Sequence, residues 1–111
     1  MKRGEIWWGC PPTLGRTRKK RPFVVVSHDA FNANPRYEKI MVVGLTTRAG
    51  EAFPWDLALS RGVAGLPRGS RASCAEIYTF RKEWFTTLLG TLPADLVVGL
   101  DAALSRALGL A

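Results

Sequence analysis

The chain contains few of the residues on which metal sites and covalent catalysis usually depend. It has two cysteines, Cys10 and Cys74, no C-x-x-C pair, and a single histidine, His28. A zinc site or a catalytic triad is therefore not expected, and we predict no metal site and no cofactor. Because free cysteines are usually buried, we expect both thiols to be reduced and inside the protein.

Long apolar runs are also lacking. No apolar segment reaches the roughly 20 residues that a membrane span requires. The N-terminal segment MKRGEIWWG has no apolar stretch of the length found in signal peptides. Hydrophobic residues make up 47% of the chain and charged residues 23%, which is typical of a globular protein. We therefore expect a cytoplasmic protein that forms one domain over residues 1–111.

Acidic residues are missing from one long interval, between Glu5 and Asp29, in a chain whose net charge is +7. Within that interval, five cations fall in six residues: Arg16, Arg18, Lys19, Lys20 and Arg21. Such a patch is typical of proteins that bind nucleic acid, and a solvated basic face that only maintains solubility is the alternative. Since Pro22 favours an extended conformation for the residue before it, we expect Arg21 to be held where the loop meets a strand.

Short β-prone segments separated by glycine and proline occupy most of the chain. Strands are predicted over Glu5–Gly9, Pro22–Ser27, Lys39–Leu45, Trp55–Leu59, Ser70–Phe80 (as one strand or two) and Phe85–Leu89. The run Pro22–Ser27 is almost continuously apolar, so we expect it to be buried on both faces. From Pro93 to Leu108 the apolar spacing becomes helical, and Gly109 supplies a stop. The pattern predicts a mainly β (α+β) fold, a strongly bent antiparallel sheet closed by a C-terminal helix.

Five segments of the chain, in their order and spacing, follow a family pattern. They are MKRGEIWW, KKRPFVVVSHDAFN, MVVGLTT, GLPRGSRASCAEIYTF, and LGTL followed by the amphipathic helix. Together they resemble the MazF/PemK toxins of bacterial toxin–antitoxin systems. The resemblance implies an SH3-like antiparallel β-barrel with a C-terminal α-helix (CcdB/PemK-like) that acts as a homodimer. It also implies cleavage of single-stranded RNA without a metal, and inhibition by a small antitoxin with an acidic tail.

The resemblance assigns two catalytic residues. The arginine of the family's R-P pair falls on Arg21, and the threonine of its L-T pair falls on Thr46. A guanidinium can hold two phosphoryl oxygens, so we expect Arg21 to stabilise the charged phosphorane, with Thr46 donating a hydrogen bond to the same phosphate. For Arg21 the alternatives are proton transfer, ranked second, and a role that only positions the phosphate. For Thr46 the alternative is a structural threonine at the end of a strand.

Further residues are expected to bind RNA, the cations along its backbone and the aromatic residues by stacking on bases. They are Arg16, Thr17, Arg18, Lys19, Lys20, Thr47, Arg48, Phe53 and Trp55. The proton carriers stay open, with His28, Glu51 and Glu76 as conceivable bases. The chain departs from the family pattern here, since its first loop has no acid or glutamine and Ala75 stands where some members have a catalytic aspartate.

The expected function is a metal-independent, sequence-specific endoribonuclease. The 2′-hydroxyl of the RNA would attack the phosphate and leave a 2′,3′-cyclic phosphate (or the 3′-phosphate) and a 5′-hydroxyl. Two other functions fit the same fold. One is a non-catalytic RNA-binding module, and the other is a CcdB-like toxin that targets gyrase and therefore a protein.

Overall fold

A computed structural model describes residues 1–12, 19–48 and 50–110. These residues form six strands, two α-helices and two short 3-10 turns. The strands are β1 (Glu5–Gly9), β2 (Arg21–Val25), β3 (Lys39–Thr46), β4 (Asp56–Leu59), β5 (Ser70–Arg81) and β6 (Phe85–Thr91). The helices are α1 (Asp29–Asn32) and α2 (Ala94–Leu108), and the 3-10 turns are Val63–Gly65 and Lys82–Trp84.

The six strands form one antiparallel sheet in the order β4-β5-β3-β2-β1-β6. The expected fold class, a bent antiparallel sheet with a C-terminal helix, is confirmed. The sheet is barrel-like rather than fully closed, because β4 and β6 are its two edges in the described part of the chain. The turn Val63–Gly65 brings the edges together by packing on β6. There Gly90 is required, since a Cβ atom would overlap the backbone of Ala64.

Most strand predictions agree with the structure to within one or two residues. The segment Ser70–Phe80 is a single long strand, β5, extended to Arg81. The predicted end of the last strand at Leu89 is wrong, because Gly90 and Thr91 continue β6 and pair with β1. Backbone pairing does not depend on a side chain, so a glycine at a site of close approach remains within the ladder.

Two apolar clusters cover the two faces of β2 and β3. Val24 and Val43 face the larger cluster, which also contains the buried residues of α2. Phe23 and Val42 face a smaller, aromatic-rich cluster on the other side. Successive strand residues point to opposite faces, so the apolar run at Pro22–Ser27 serves both clusters. The expected burial on both faces is confirmed.

Helix α2 packs on β4 and β5 through Leu100, Ala103 and Leu104. It begins after Pro93 and ends at Gly109, which adopts a left-handed conformation with φ of 72°, so the expected stop is confirmed. No helix in the described ranges is long and apolar enough to cross a membrane.

The two cysteines are free, but their surroundings differ. Cys74 is fully buried in the larger cluster, as expected, and burial raises the pKa of its thiol to about 11. Cys10 is only partly buried, so the expectation of two buried thiols is wrong for this residue. Cys10 directly follows β1, at the point where the chain leaves the sheet.

Candidate nucleic-acid interface

The two residues expected to be catalytic lie at strand ends that meet in the sheet. Arg21 begins β2 and Thr46 ends β3. These strands are antiparallel, with Phe23 opposite Gly44. Continuing that register by two residues puts Arg21 opposite Thr46 on the same face of the sheet. Residues far apart in the chain thus come together at one edge of a groove.

The groove has a volume of about 990 Å³ and lies on the aromatic-rich face of the sheet. Its floor is open because Gly44 carries no side chain, and a Cβ atom there would contact the rings of Phe23 and Tyr78. Apart from Tyr78, its polar and charged lining residues come from four segments, residues 19–21, 46–48, 56 and 71–76. They are Lys19, Arg21, Thr46, Arg48, Asp56, Arg71, Ser73 and Glu76. Among the described residues, the lining of the groove thus contains four cations and two acids. This excess of positive charge suits a polyanion.

The Thr46 hydroxyl is oriented by the backbone after β3. Its Oγ1 accepts a hydrogen bond from the Arg48 N–H at 3.1 Å. A hydroxyl that accepts in this way keeps its own hydrogen for donation. Thr46 can therefore donate to an anion in the groove, and the same turn carries Arg48 to the groove wall.

Arg71 is a groove residue that the sequence reasoning missed. It pairs with Thr46 across β3 and β5. Its Nη1 donates to the carbonyls of Gly50 and Glu51, both at 3.2 Å, and lies 3.9 Å from the Asp56 carboxylate. Arg71 thus ties the segment before β4 to the sheet. A charged residue among the alternating small residues of β5 was the available signal.

Two stacked aromatic pairs lie at the groove. Phe53 stacks on Trp55 with centroids 5.3 Å apart, and Tyr78 stacks on Phe80 at 5.0 Å. The outer rings are exposed, 53% for Phe53 and 38% for Tyr78. Trp55 instead packs against the larger apolar cluster and is not among the groove residues, so it supports Phe53 from below. Tyr78 was missed because it lies in a segment of β-prone residues, where a tyrosine is typical of a strand with a purely structural role.

Tyr78 also links Glu76 to Arg21 electrostatically. Burial raises the pKa of Tyr78, and the charge of Glu76 and its hydrogen bond with the Tyr78 hydroxyl raise it further, while Arg21 acts in the opposite direction. The Tyr78 hydroxyl lies 3.5 Å from Glu76 Oε2. The phenol therefore stays protonated at neutral pH and can donate to the carboxylate.

Of the other residues expected to contact RNA, some line the groove and some do not. Lys19 lines the groove, while Lys20 and Thr47 are exposed and lie outside its lining. The predictions for Arg16, Thr17 and Arg18 concern residues outside the described part of the chain.

Of the three residues considered as possible bases, only one lines the groove in the described part of the chain. His28 caps α1, where its Nδ1 accepts a hydrogen bond from the Ala30 N–H at 3.0 Å, and it does not line the groove. Glu51 is exposed on the loop and is also outside the lining, whereas Glu76 is part of it. Among the residues of the described ranges, no three histidines, cysteines or acids lie close enough to hold a metal ion together.

The chain is thus a small protein with a curled antiparallel sheet and a cationic, aromatic-flanked groove whose charge suits a polyanion. A family model described as PemK-like, MazF-like toxin of type II toxin–antitoxin system matches residues 2–108. The chain belongs to this family.

Relatives in the family match over their full length. Endoribonuclease MazF6 of Mycobacterium tuberculosis is 32% identical over 112 residues, which covers 99% of this chain and 98% of that protein. Endoribonuclease MazF9 of the same organism is 33% identical over 115 residues, with the same coverage of both chains.

Solved structures share the fold. A mycobacterial endoribonuclease in complex with its cognate antitoxin has a TM-score of 0.81 at 24% identity, covering 100% of this chain and 97% of that one. MazF of Deinococcus radiodurans has a TM-score of 0.75 at 19% identity, covering 98% and 96%. Because the sequence identities are low, this structural similarity establishes the fold alone, that is, the arrangement of the sheet and the helix.

Proposed function

We propose that the protein is a sequence-specific endoribonuclease toxin that cleaves single-stranded RNA by attack of the substrate's own 2′-hydroxyl. The observation that carries the proposal is that Arg21 and Thr46, at the ends of the paired strands β2 and β3, line the same cationic groove. Family membership and full-length relatives named as endoribonucleases support it.

Each residue has a distinct role in the proposed reaction. As the 2′-oxygen bonds to phosphorus, negative charge grows on the phosphoryl oxygens. The Arg21 guanidinium stabilises this charge, and the Thr46 hydroxyl donates to one of the oxygens. Lys19 and Arg48 attract the neighbouring phosphates, and Phe53 stacks on a base. The bond to the 5′-oxygen then breaks and leaves a 2′,3′-cyclic phosphate and a 5′-hydroxyl.

The proposal extends to the partners of the protein. We propose one toxin domain over residues 1–111 that acts as a homodimer in the cytoplasm, where RNA is available. A small antitoxin with an acidic segment neutralises it by occupying the cationic groove. Support comes from the four groove cations and from the related mycobacterial endoribonuclease that was solved with its cognate antitoxin.

The test is RNA cleavage in EDTA by the wild type and by Arg21→Ala. We expect the wild type to produce fragments whose 5′ ends are labelled by polynucleotide kinase without prior phosphatase treatment. Loss of Arg21 should lower kcat/KM by about 10²–10³-fold, the cost of removing a transition-state donor. Arg21→Lys should recover only part of this, because lysine keeps the charge but not the planar fork.

A matched control is Arg61→Ala, which removes an exposed arginine outside the groove lining and should leave cleavage unchanged. Equal loss in both variants would refute the role of Arg21. RNA that is bound but uncut would favour a non-catalytic module. RNA that is neither bound nor cut would favour a toxin with a protein target.

A further inference from the structure

The proposed reaction needs a group that takes the proton of the 2′-hydroxyl, and Arg21 is poorly suited to do so. Guanidinium stays protonated at neutral pH, so it holds charge but cannot accept a proton. The following inference rests on the proposed function and concerns this missing acceptor. An acceptor must lie in the groove with a free basic atom.

The sequence excludes the usual bases from the first loop. Residues 13–18, which lie outside the described part of the chain, contain no aspartate, glutamate or histidine, and neither do residues 49 and 111. The single histidine, His28, caps α1 away from the groove lining. Within one chain, the carboxylates that line the groove are those of Asp56 and Glu76.

Asp56 is occupied by structural contacts. Its Oδ2 accepts a hydrogen bond from the Phe53 N–H at 2.9 Å and lies 3.9 Å from Arg71. Only 6% of its side chain is exposed. Protonating it would break the contacts that hold the segment before β4, so Asp56 is unsuited to proton transfer.

Glu76 has the opposite surroundings. It is exposed in the groove, and its carboxylate has a long hydrogen bond with the Tyr78 hydroxyl, 3.5 Å from Oε2. A carboxylate has about four lone-pair sites, so this contact leaves acceptor capacity for a substrate hydroxyl. Arg21 and Tyr78 line the same groove as Glu76, and the charge of Arg21 lowers the pKa of Tyr78 against the larger raising effects of burial and Glu76.

Packing holds the Tyr78 ring in a defined position. It stacks on Phe80 with an interplanar angle of 9°, and Phe80 meets Phe23 edge to face at 5.7 Å. Phe23 is buried in the aromatic-rich cluster. The hydroxyl that contacts Glu76 therefore sits on a rigid aromatic support, which limits the freedom of the carboxylate.

We propose that Glu76 is the general base that takes the proton of the 2′-hydroxyl, and that Tyr78 is the residue that positions its carboxylate. As the 2′-oxygen loses its proton to Glu76, it forms a bond with phosphorus. The bond between phosphorus and the 5′-oxygen breaks, and that oxygen takes a proton from water. Glu76 then returns its proton to solvent.

The test measures kcat and KM against pH on a fluorogenic single-stranded RNA for the wild type, Glu76→Gln and Tyr78→Phe. Charged and titratable groups around Glu76 are Lys19, Arg21, Arg48, Asp56, Arg71 and Tyr78, and all are retained in Glu76→Gln. We expect Glu76→Gln to lose 10²–10⁴-fold in kcat, the range for a general base, and to lose the acidic limb of the profile. KM should stay equal or fall, since a negative charge has left an RNA groove.

Tyr78→Phe keeps the stack and removes only the hydroxyl. We expect a smaller fall in kcat, accompanied by a shifted acidic limb. A purely structural tyrosine would change neither the position of the limb nor the ratio of kcat to KM.

The matched control is Glu51→Gln, which makes the same chemical change on the exposed loop outside the lining. A second substrate with sulfur in place of the bridging 5′-oxygen has a leaving group that needs no protonation. The Glu76→Gln defect should persist on it, whereas a defect that disappears there would make Glu76 an acid and overturn the proposal.

The remaining outcomes also separate the two proposals. Activity lost in Arg21→Ala but kept in Glu76→Gln, with its acidic limb intact, would refute Glu76 and leave the endoribonuclease standing. A wild type that leaves RNA intact would refute both. If Glu76→Gln does not fold, Glu76→Asp replaces it, and it should keep the acidic limb at reduced kcat.

Discussion

Replacing Arg71 with alanine should loosen the segment that carries Phe53 to the groove. The change removes two hydrogen bonds from Nη1 to the carbonyls of Gly50 and Glu51, both at 3.2 Å. It also removes the cation 3.9 Å from Asp56, a carboxylate with only 6% exposure. The wild-type function of Arg71 is thus to neutralise a buried acid and to anchor a loop.

The expected cost follows from these contacts. Hydrogen bonds from a charged donor contribute roughly 1.5–3 kcal/mol each when buried. Since both hydrogen bonds are exposed, 22% of the Arg71 side chain is exposed and the Asp56 contact is long, we expect each bond to contribute less than the lower end of that range. The free energy of unfolding should fall by about 2–3 kcal/mol, and Tm by about 8–12 °C for a domain of this size.

The assay is thermal unfolding followed by circular dichroism, together with KM for single-stranded RNA. Arg71→Ala should raise KM as well as lower Tm, because Phe53 is no longer held at the groove wall. Arg71→Lys should give an intermediate Tm, since lysine keeps the charge but cannot reach both carbonyls with a fixed fork.

Arg68→Ala is the control, because Arg68 is an exposed arginine close to Arg71 in the chain and outside the groove lining. It should change Tm by no more than about 2 °C, as surface substitutions usually do. An Arg71→Ala protein that melts within the same margin and keeps its KM would refute the anchoring role.

Two further predictions concern the larger apolar cluster. Leu100 of α2 is fully buried, so Leu100→Ala should lower the free energy of unfolding in urea by about 2–5 kcal/mol. Val98 on the same helix is 68% exposed, and Val98→Ala should cost under about 0.5 kcal/mol, so equal losses would contradict the packing. Burial raises the Cys74 pKa from 9.0 to about 11, so the folded state favours the protonated thiol. Stability should be retained below pH 9 and decline as the pH rises from 9 to about 11. In a thiol-reagent assay at pH 8 the partly buried Cys10 should react first, and labelling of native Cys74 at the same rate would refute its burial.

The sequence was sufficient for most of the fold because its signals are local. The strand at Glu5–Gly9 and the helix ending before Gly109 follow from residue type and period over a few neighbours. Gly90 was misjudged for the same reason. Nothing in its immediate neighbourhood indicates that Ala64 packs against it across the open edges of the sheet.

The candidate site was predicted in part. Arg21 and Thr46 were predicted from two separate motifs, and both line the groove. Trp55, also predicted to contact RNA, lies outside the lining and packs against the larger apolar cluster. Arg71 was missed, because its partners lie on a loop that sequence patterns do not connect to β5.

By itself the sequence determined the chemistry available to this protein. The long interval without acids predicts a cationic site. The single histidine and the two separated cysteines give no pattern from which a metal site would be predicted. Only the tertiary structure decided which residues meet. The pairing of β2 with β3 brings Arg21 and Thr46 to one groove, and β5 carries Glu76 and Tyr78 to the same groove. The physical reason is that propensity and periodicity act between neighbours in the chain, whereas a site forms from pairings between strands far apart in sequence.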